Sequence, residues 1–256
     1  MRIINYLNII IWYLFNFKFL PNLFFLIKNK IMELIFSEHK KPIYEENLKF
    51  SHHNFFFKKE CIKSLNFQTE KIYLDSLKKN KKKVKSFGGE ADLSLLHSIC
   101  NKIKSKNIFI LETGVALGWS SLVFLFFLSK KKGQLFSIDM PYINKTNFDY
   151  VGAAVPDALK NKWQLYRLPD FQGLKKILKK KIKFDLIHYD SDKSYYGRKR
   201  SYEILWFLLK KKGYFISDDI SDNLAFLDFV RKKKLIKNKN YYILKFKRKY
   251  IGIVKK

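Results

Sequence analysis

The run Ile108 to Ser121, IFILETGVALGWSS, constrains this chain more than any other stretch. Ile108 to Leu111 suits a parallel strand buried on both faces, and Ser121 to Ser129, SLVFLFFLS, reads as a helix apolar on every side. Between them Gly114 and Gly118 allow positive φ and let a ligand approach the backbone, while the free N–H groups of the following helix attract an anion or carboxylate. Glu112 ends the strand. Asp139 ends the next apolar run, Leu135 to Ile138, where an acid can accept hydrogen bonds from ribose hydroxyls. The pattern reads as a nucleoside-cofactor site, although a tight strand-to-helix turn without a ligand has the same outline.

With 256 residues, the chain can bury a full core, and one α/β domain of about 200 residues with an N-terminal extension fits that length. A formal net charge of +30 would in most chains point to nucleic acid or an anionic membrane. Here it accompanies an excess of Lys, Ile, Asn, Phe and Tyr over Gly, Pro and Ala, as an AT-rich genome imposes, so charge alone makes no case for nucleic acid. Cys61 and Cys100 are too few for a disulfide framework or a thiolate metal site. The expected setting is a reducing cytoplasm, at the inner membrane face if the N-terminus attaches there.

Residues 1–36 form an apolar helical segment. Ile3 to Ile27 is flanked by Arg2 and by Lys28 and Lys30, and is divided by Lys18 and Pro21 into pieces too short to span a bilayer separately. It has no small-residue cleavage site. Asn5, Asn8 and Asn16 fall within an arc of roughly 80° at about 100° per residue, which suits a helix lying in a membrane interface. A helix pair packed on the domain or on a second copy in a homo-oligomer fits the same residues, and a true span is the third reading.

Residues 37–86 read as a helical and loop linker. His39, His52 and His53 lack the spacing of a metal site and belong on a solvated surface. Leu77 to Lys85, LKKNKKKVK, reads as a basic solvated loop leading into the main domain, residues 87–256. That domain opens on Gly88-Gly89-Glu90 and a helix with Leu93, Leu96, Ile99, Cys100 and Ile103 on one face. Glu90 is also simply a first-turn acid near that helix's N-terminus.

After a crossover containing Val151 to Pro156, Trp163 to Leu168 reads as a third strand, with Asp170 just beyond it, and Gly173 to Lys181 as a helix. Phe184 to Tyr189 is a fourth strand, leading into Asp190-Ser-Asp-Lys193. Gly197 to Lys211 reads as a helix, and the strand Gly213 to Ser217 runs into Asp218-Asp219. Two strand tips thus aim three carboxylates, Asp190, Asp218 and Asp219, at one crevice. Such hard oxygen ligands suit Mg²⁺ or another divalent cation better than zinc. Lys193 beside them is a candidate base, or one surface lysine among many. Tyr241 to Phe246 and Tyr250 to Val254 read as a terminal hairpin.

Glu112-x-Gly114-x-x-x-Gly118-x-Ser120 resembles motif I of class I S-adenosylmethionine (SAM) dependent methyltransferases. Asp190, Lys193 and Asp218-Asp219 are similar to the metal-dependent O-methyltransferases of the catechol and caffeoyl-coenzyme A type. There, a strand-four Asp and a strand-five Asp-Asn hold a divalent metal and a Lys deprotonates the substrate hydroxyl. Asp219 stands where those enzymes have Asn. Val155-Pro156 and Asp218-Asp219-Ile220 look like the wider small-molecule and sugar methyltransferase group, which often has His where this chain has Lys193.

The resemblance covers about residues 87 to 254. It implies an α/β, Rossmann-like doubly wound seven-stranded sheet with a C-terminal antiparallel hairpin. It also implies SAM held by Glu90, Glu112, Gly114, Gly118, Ser120, Asp139 and Asp170, with Glu90 at the methionine end. A metal at Asp190, Asp218 and Asp219 would lower the pKa of a bound hydroxyl and depress that of Lys193, which with Asp190 would serve catalysis on a hydroxyl of a small molecule or sugar. An RNA- or nucleotide-directed methyltransferase and a non-catalytic, membrane-associated protein of the same fold are the rivals. Neither Pro-Pro-Tyr after strand four nor a Pro-Cys occurs, which argues against the DNA-modifying types.

Overall fold

The computed structural model describes residues 2–36, 67–84, 91–140, 150–235, 241–247 and 249–256. Glu90, the Gly88-Gly89 loop and His39, His52 and His53 lie outside the described residues. In chain order the helices and strands are α1 (Arg2–Phe15), α2 (Leu20–Ile35), α3 (Lys71–Val84), α4 (Leu93–Asn101), β1 (Asn107–Thr113), α5 (Trp119–Ser129), β2 (Lys132–Ile138), β3 (Trp163–Tyr166), α6 (Asp170–Lys179), β4 (Phe184–Tyr189), α7 (Tyr195–Leu208), β5 (Leu209–Ser217), α8 (Ala225–Lys232), β6 (Tyr241–Phe246) and β7 (Lys249–Lys255).

The most apolar strands take the centre. β1 and β4 pair in parallel, every residue of β4 is buried, and the sheet grows outward in the order β3-β2-β1-β4-β5-β7-β6. β1 to β5 are parallel, and β7 enters antiparallel between β5 and β6. The sheet is therefore the expected doubly wound seven-stranded one, with its C-terminal hairpin and N-terminal helices. Alternation along each strand sends Ile108, Ile110, Leu135, Leu186 and Ile216 to one face, under α4 and α5. Leu111, Phe136, Ile187 and Phe215 go to the other, under α6, α7 and α8. Strand order reverses between β1 and β4, which opens a crevice at their carboxyl ends.

Among the boundaries that differ from the sequence reading, those of α3, α7 and α6 bear most on the site. Leu77 to Val84, expected as a loop, completes α3, because Tyr73, Ser76 and Asn80 form an inward stripe and the lysines between them are good helix formers. Ser76 and Asn80 donate to the carbonyls of Ala154 and Ala153, at 2.6 and 3.1 Å, so this helix braces the crossover. The helix expected at Gly197 to Lys211 runs from Tyr195 to Leu208, capped by Ser194, and β5 takes over at Leu209. α6 starts at Asp170 and not at Gly173, placing that acid in its first turn.

The N-terminal helices pack on the domain. Pro21 sits in the first turn of α2, where its missing N–H costs nothing, and the two arms, Asn8–Phe15 and Phe17–Ile35, meet at 108°. Asn22, Asn29 and Glu33 point inward. Glu33 accepts from the N–H of Tyr195 at 3.1 Å, Asn29 reaches Ser194, and Asn22 donates to the Met140 sulfur at 3.3 Å.

Candidate active site

Four strand ends build the site from one rim. After β1 the loop turns at Gly114, φ +82°, whose N–H donates to Ile138 and whose absent Cβ would stand 2.0 Å from the Asp190 carbonyl. Gly118, φ +94°, opens α5 and lies against Gly152 of the crossover, 2.8 Å from where its own Cβ would be. Any side chain at either position would push the loop off its neighbours. α5 has no side-chain cap at its start, so its first N–H groups are left for another acceptor.

Asp139 fixes the loop from the β2 tip. One carboxylate oxygen accepts from Val115 N–H at 3.0 Å and Ala116 N–H at 2.8 Å. Burial pushes its pKa up to about 6, against those two hydrogen bonds and Arg167. Asp170 is similarly placed at the start of α6, accepts from Ser191, and is pushed up to about 7, first by burial.

These groups surround a cleft of about 400 Å³ lined also by Trp119, Ser120, Asp190 and Arg200, a size suited to a nucleoside cofactor. The N-terminal segment supplies a wall that sequence reasoning had not assigned to the site: Tyr13, Asn22, Phe25 and Leu26 line it. Phe25 packs on Phe171 at 5.7 Å and lies under the Arg200 guanidinium at 3.8 Å.

Glu112, expected at the cofactor, is placed elsewhere. Its carboxylate is fully buried and receives hydroxyls from Ser120, Ser121 and Ser137, so it ties α5 and β2 to β1 and does not line the cleft. Ser120 both lines the cleft and makes one of those bonds. The serines could be read from the sequence, but not that they converge on one acid.

Beside the cleft, and sharing Asp190 with it, Asp190, Asp218 and Asp219 each present an oxygen within 4.8 Å of the others. Asp218 Oδ1 is buried with no hydrogen-bond partner among the described residues. Burial and the neighbouring carboxylates push the pKa of Asp218 up to about 6. Lys193 bonds Asp190 and reaches Asp219 at 2.9 Å, and Lys249, unassigned in the sequence reading, reaches Asp219 at 3.1 Å. Burial opposes the charge of Asp219, but the two ammoniums outweigh it and hold that carboxyl below its usual range. Burial likewise works against the Lys193 ammonium, yet Asp190 and Asp219 prevail and hold its pKa above the ordinary value. The depressed lysine pKa expected from the sequence is thus absent without a cation, since Lys193 is then the counter-ion of the acids.

Asp219 adopts the left-handed conformation, φ +51°. Behind it the fully buried Arg198 donates to the carbonyl of Asp219 at 2.8 Å and of Asp218 at 3.4 Å, holding the turn that aims both acids. In a chain with 52 Lys and Arg, only burial separates this arginine from the solvated ones.

Residues 111–220 match the model of a family described as a methyltransferase domain. The structure is similar to that of an O-methyltransferase from Bacillus cereus in complex with SAH, at 15% identity over 81% of this chain and 99% of that one, TM-score 0.53. It is similar to the O-methyltransferase TomG from Streptomyces achromogenes, involved in tomaymycin synthesis and in complex with SAM, at 11% identity over 81% and 97%, TM-score 0.53. A third likeness is to the MycE methyltransferase of the mycinamycin biosynthetic pathway in complex with Mg and SAH, at 12% identity over 73% and 54%, TM-score 0.50. No curated protein sequence matches.

Proposed function

With the fold that of the class I methyltransferases, we propose that this chain transfers a methyl group from SAM to a hydroxyl of a small molecule or sugar, assisted by a divalent cation. The observation that carries the reading is the junction at Asp190: one side chain belongs both to the cleft and to the acid cluster, so a group held at the acids sits beside whatever fills the cleft.

The cleft fits the cofactor. The carboxylate of Asp139 spends one oxygen on the loop and has the other for ribose hydroxyls, and the uncapped start of α5 offers N–H groups to a carboxylate. Phe171 and Arg200 give a flat surface beside Asp170. When bound, SAM supplies an electrophilic methyl on a sulfonium.

The acids fit a hard cation. Three oxygens converge, and the buried Asp218 Oδ1 finds among the described residues no hydrogen bond of the kind a buried acceptor requires. A divalent ion there supplies charge that lowers the pKa of a hydroxyl beside it. Asp190, Asp218 and Asp219 would hold it, Arg198 keeps the second and third aimed, and Lys193, its pKa lowered once the cation neutralises the acids and its ammonium proton lost to solvent, would take the hydroxyl proton at Nζ as the free amine. Lys249 stays with Asp219 and lowers the cluster's charge, consistent with Asp where the resembling enzymes carry Asn.

The test is titration calorimetry with SAM followed by a methyl-gain screen of hydroxylated metabolites by mass detection, with Mg²⁺ or with EDTA. Absence of SAM binding would sink the reading, and metal-independent turnover would remove the cation from it.

A further inference from the structure

The side of the α1–α2 pair that faces away from the domain is its apolar side. Asn22, Asn29 and Glu33 of α2 are buried against the domain, beside Tyr13 and Phe19, while Phe15, Phe17, Phe24, Leu34 and Ile35 are between 64% and 82% exposed. For α2 this inverts the polarity of a helix lying on a globular protein in water. Among the described side chains of the pair, the exposed charges are Lys18, Lys28 and Lys30, and the one acid, Glu33, is buried.

That combination selects an occupant. A second copy would press like charges together in a chain of net charge +30, whereas an anionic bilayer offers both an apolar layer and the opposite charge. The helices α1 and α2, 14 and 16 residues long, reach about 21 and 24 Å at 1.5 Å per residue, short of a hydrocarbon core of about 30 Å, and the longer arm Phe17–Ile35 carries Lys18, Lys28, Lys30 and Glu33. No single described helix is long and apolar enough to cross a membrane; Asn8–Phe15 and Phe17–Ile35 have the length and composition to do so only together, as a broken or re-entrant span bent by 108°, and burial of Asn22, Asn29 and Glu33 against the domain favours a pair that lies on the surface. Two short arms, apolar on the outside and fringed with lysine, have the form of a segment lying in the interface.

We propose that the α1–α2 pair seats this protein on an anionic lipid surface. Because Tyr13, Asn22, Phe25 and Leu26 of the same pair wall the cleft, the seat sets the mouth of the cleft at the headgroups. The seating stands on the helix pair alone. Its consequence for the acceptor, a hydroxyl presented at headgroup level, rests on the methyltransferase reading above.

The experiment is co-sedimentation of the full chain with vesicles of phosphatidylcholine, with or without phosphatidylglycerol. Binding should be at least about tenfold greater with phosphatidylglycerol and should weaken as salt is raised. Phe24→Glu/Ile31→Glu, both on the outer face, should lose about tenfold or more of that binding with thermal melting unchanged. Lys28→Glu/Lys30→Glu should also lose it. Lys104→Glu/Lys211→Glu, exposed at the opposite end of the strands and equal in charge change, should stay within about twofold. Equal losses from the two lysine pairs would overturn the seating, as would no sedimentation with phosphatidylglycerol vesicles. A dimer in light scattering that Phe24→Glu/Ile31→Glu dissociates would assign the face to a second copy. Vesicle binding without SAM binding would uphold the seat and sink the catalytic reading, and the reverse result would do the opposite.

Discussion

Replacing Asp139 with Asn should stabilise the unliganded protein and weaken its hold on SAM. Burial raises the folded-state pKa of Asp139 from 3.8 to about 6, so folding favours the protonated form. The stability this group contributes is full below pH 3.8 and is lost as pH rises through about 6. Two units correspond to about 3 kcal/mol, a ceiling because the side chain still meets solvent through the cleft. Asn keeps an acceptor for the N–H groups of Val115 and Ala116 but makes neutral bonds, giving back about 1 kcal/mol. The net gain at pH 8 should be roughly 1 to 2 kcal/mol, or 2 to 8 °C in Tm for a chain of this size, and it should vanish at pH 4. SAM affinity should fall by roughly 5- to 150-fold, the range for losing a charged acceptor worth 1 to 3 kcal/mol. Wild-type affinity should rise with pH through about 6, as Asp139 ionises. Urea unfolding at pH 4 and pH 8, with calorimetry of SAM binding, measures all of this. A variant less stable than wild type at pH 8, or a stability difference independent of pH, would refute the reasoning.

Three further outcomes test the rest of the site. EDTA should stop turnover without displacing SAM, Mg²⁺ should restore it, and Asp218→Ala should behave as the chelated enzyme does; activity assays with parallel SAM titrations decide this. Gly114→Ala must displace backbone, since its Cβ would lie 2.0 Å from the Asp190 carbonyl, and should cost about 2 kcal/mol or more along with about tenfold in SAM affinity; a variant that melts and binds like wild type would show the loop to be free. Arg198→Met should raise the Mg²⁺ concentration for half-maximal activity by about tenfold while SAM affinity stays within about twofold, and Arg198→Lys should recover part of it; loss of SAM binding as well would reduce Arg198 to a general structural role.

What the sequence disclosed about the site, it disclosed through strand tips. Asp139, Asp190, Asp218 and Asp219 could each be located because an acid directly after an apolar run lies at a strand's carboxyl end, and a parallel sheet gathers those ends on one rim. Lys193 followed from its distance of three residues from Asp190. Glu112 satisfies the same rule and faces elsewhere, because the direction of its carboxylate depends on three serines brought in by α5 and β2. Arg198, Arg200 and Lys249 could not be distinguished, since positive charge is nearly uniform along this chain and only tertiary structure marks them out, Arg198 by its burial, Arg200 by its place over Phe25 and Lys249 by its ion pair with Asp219. The α3 boundary was missed for a related reason: a run of lysines reads as solvated, yet helices tolerate lysine well when Tyr73, Ser76 and Asn80 supply the inward stripe. Burial of asparagines and a glutamate by α2 against the domain reverses the usual sense of amphipathic patterning, so the wheel of Asn5, Asn8 and Asn16 pointed to an interface without revealing the Asn22, Asn29 and Glu33 side.

The contacts that dock α2 join residues 162 and 165 positions apart, Glu33 to Tyr195 and Asn29 to Ser194. During synthesis these helices precede their docking surface on α7. At about 5 to 20 residues per second, the ribosome needs roughly 8 to 32 s to make the intervening chain. For that interval the segment destined to wall the cleft has no seat on its own protein, and its apolar residues are open to whatever the nascent chain meets first. The cleft is therefore finished in reverse order: its floor, built from β1, β2 and β4, closes around nearby segments, and its earliest-made wall arrives at the end.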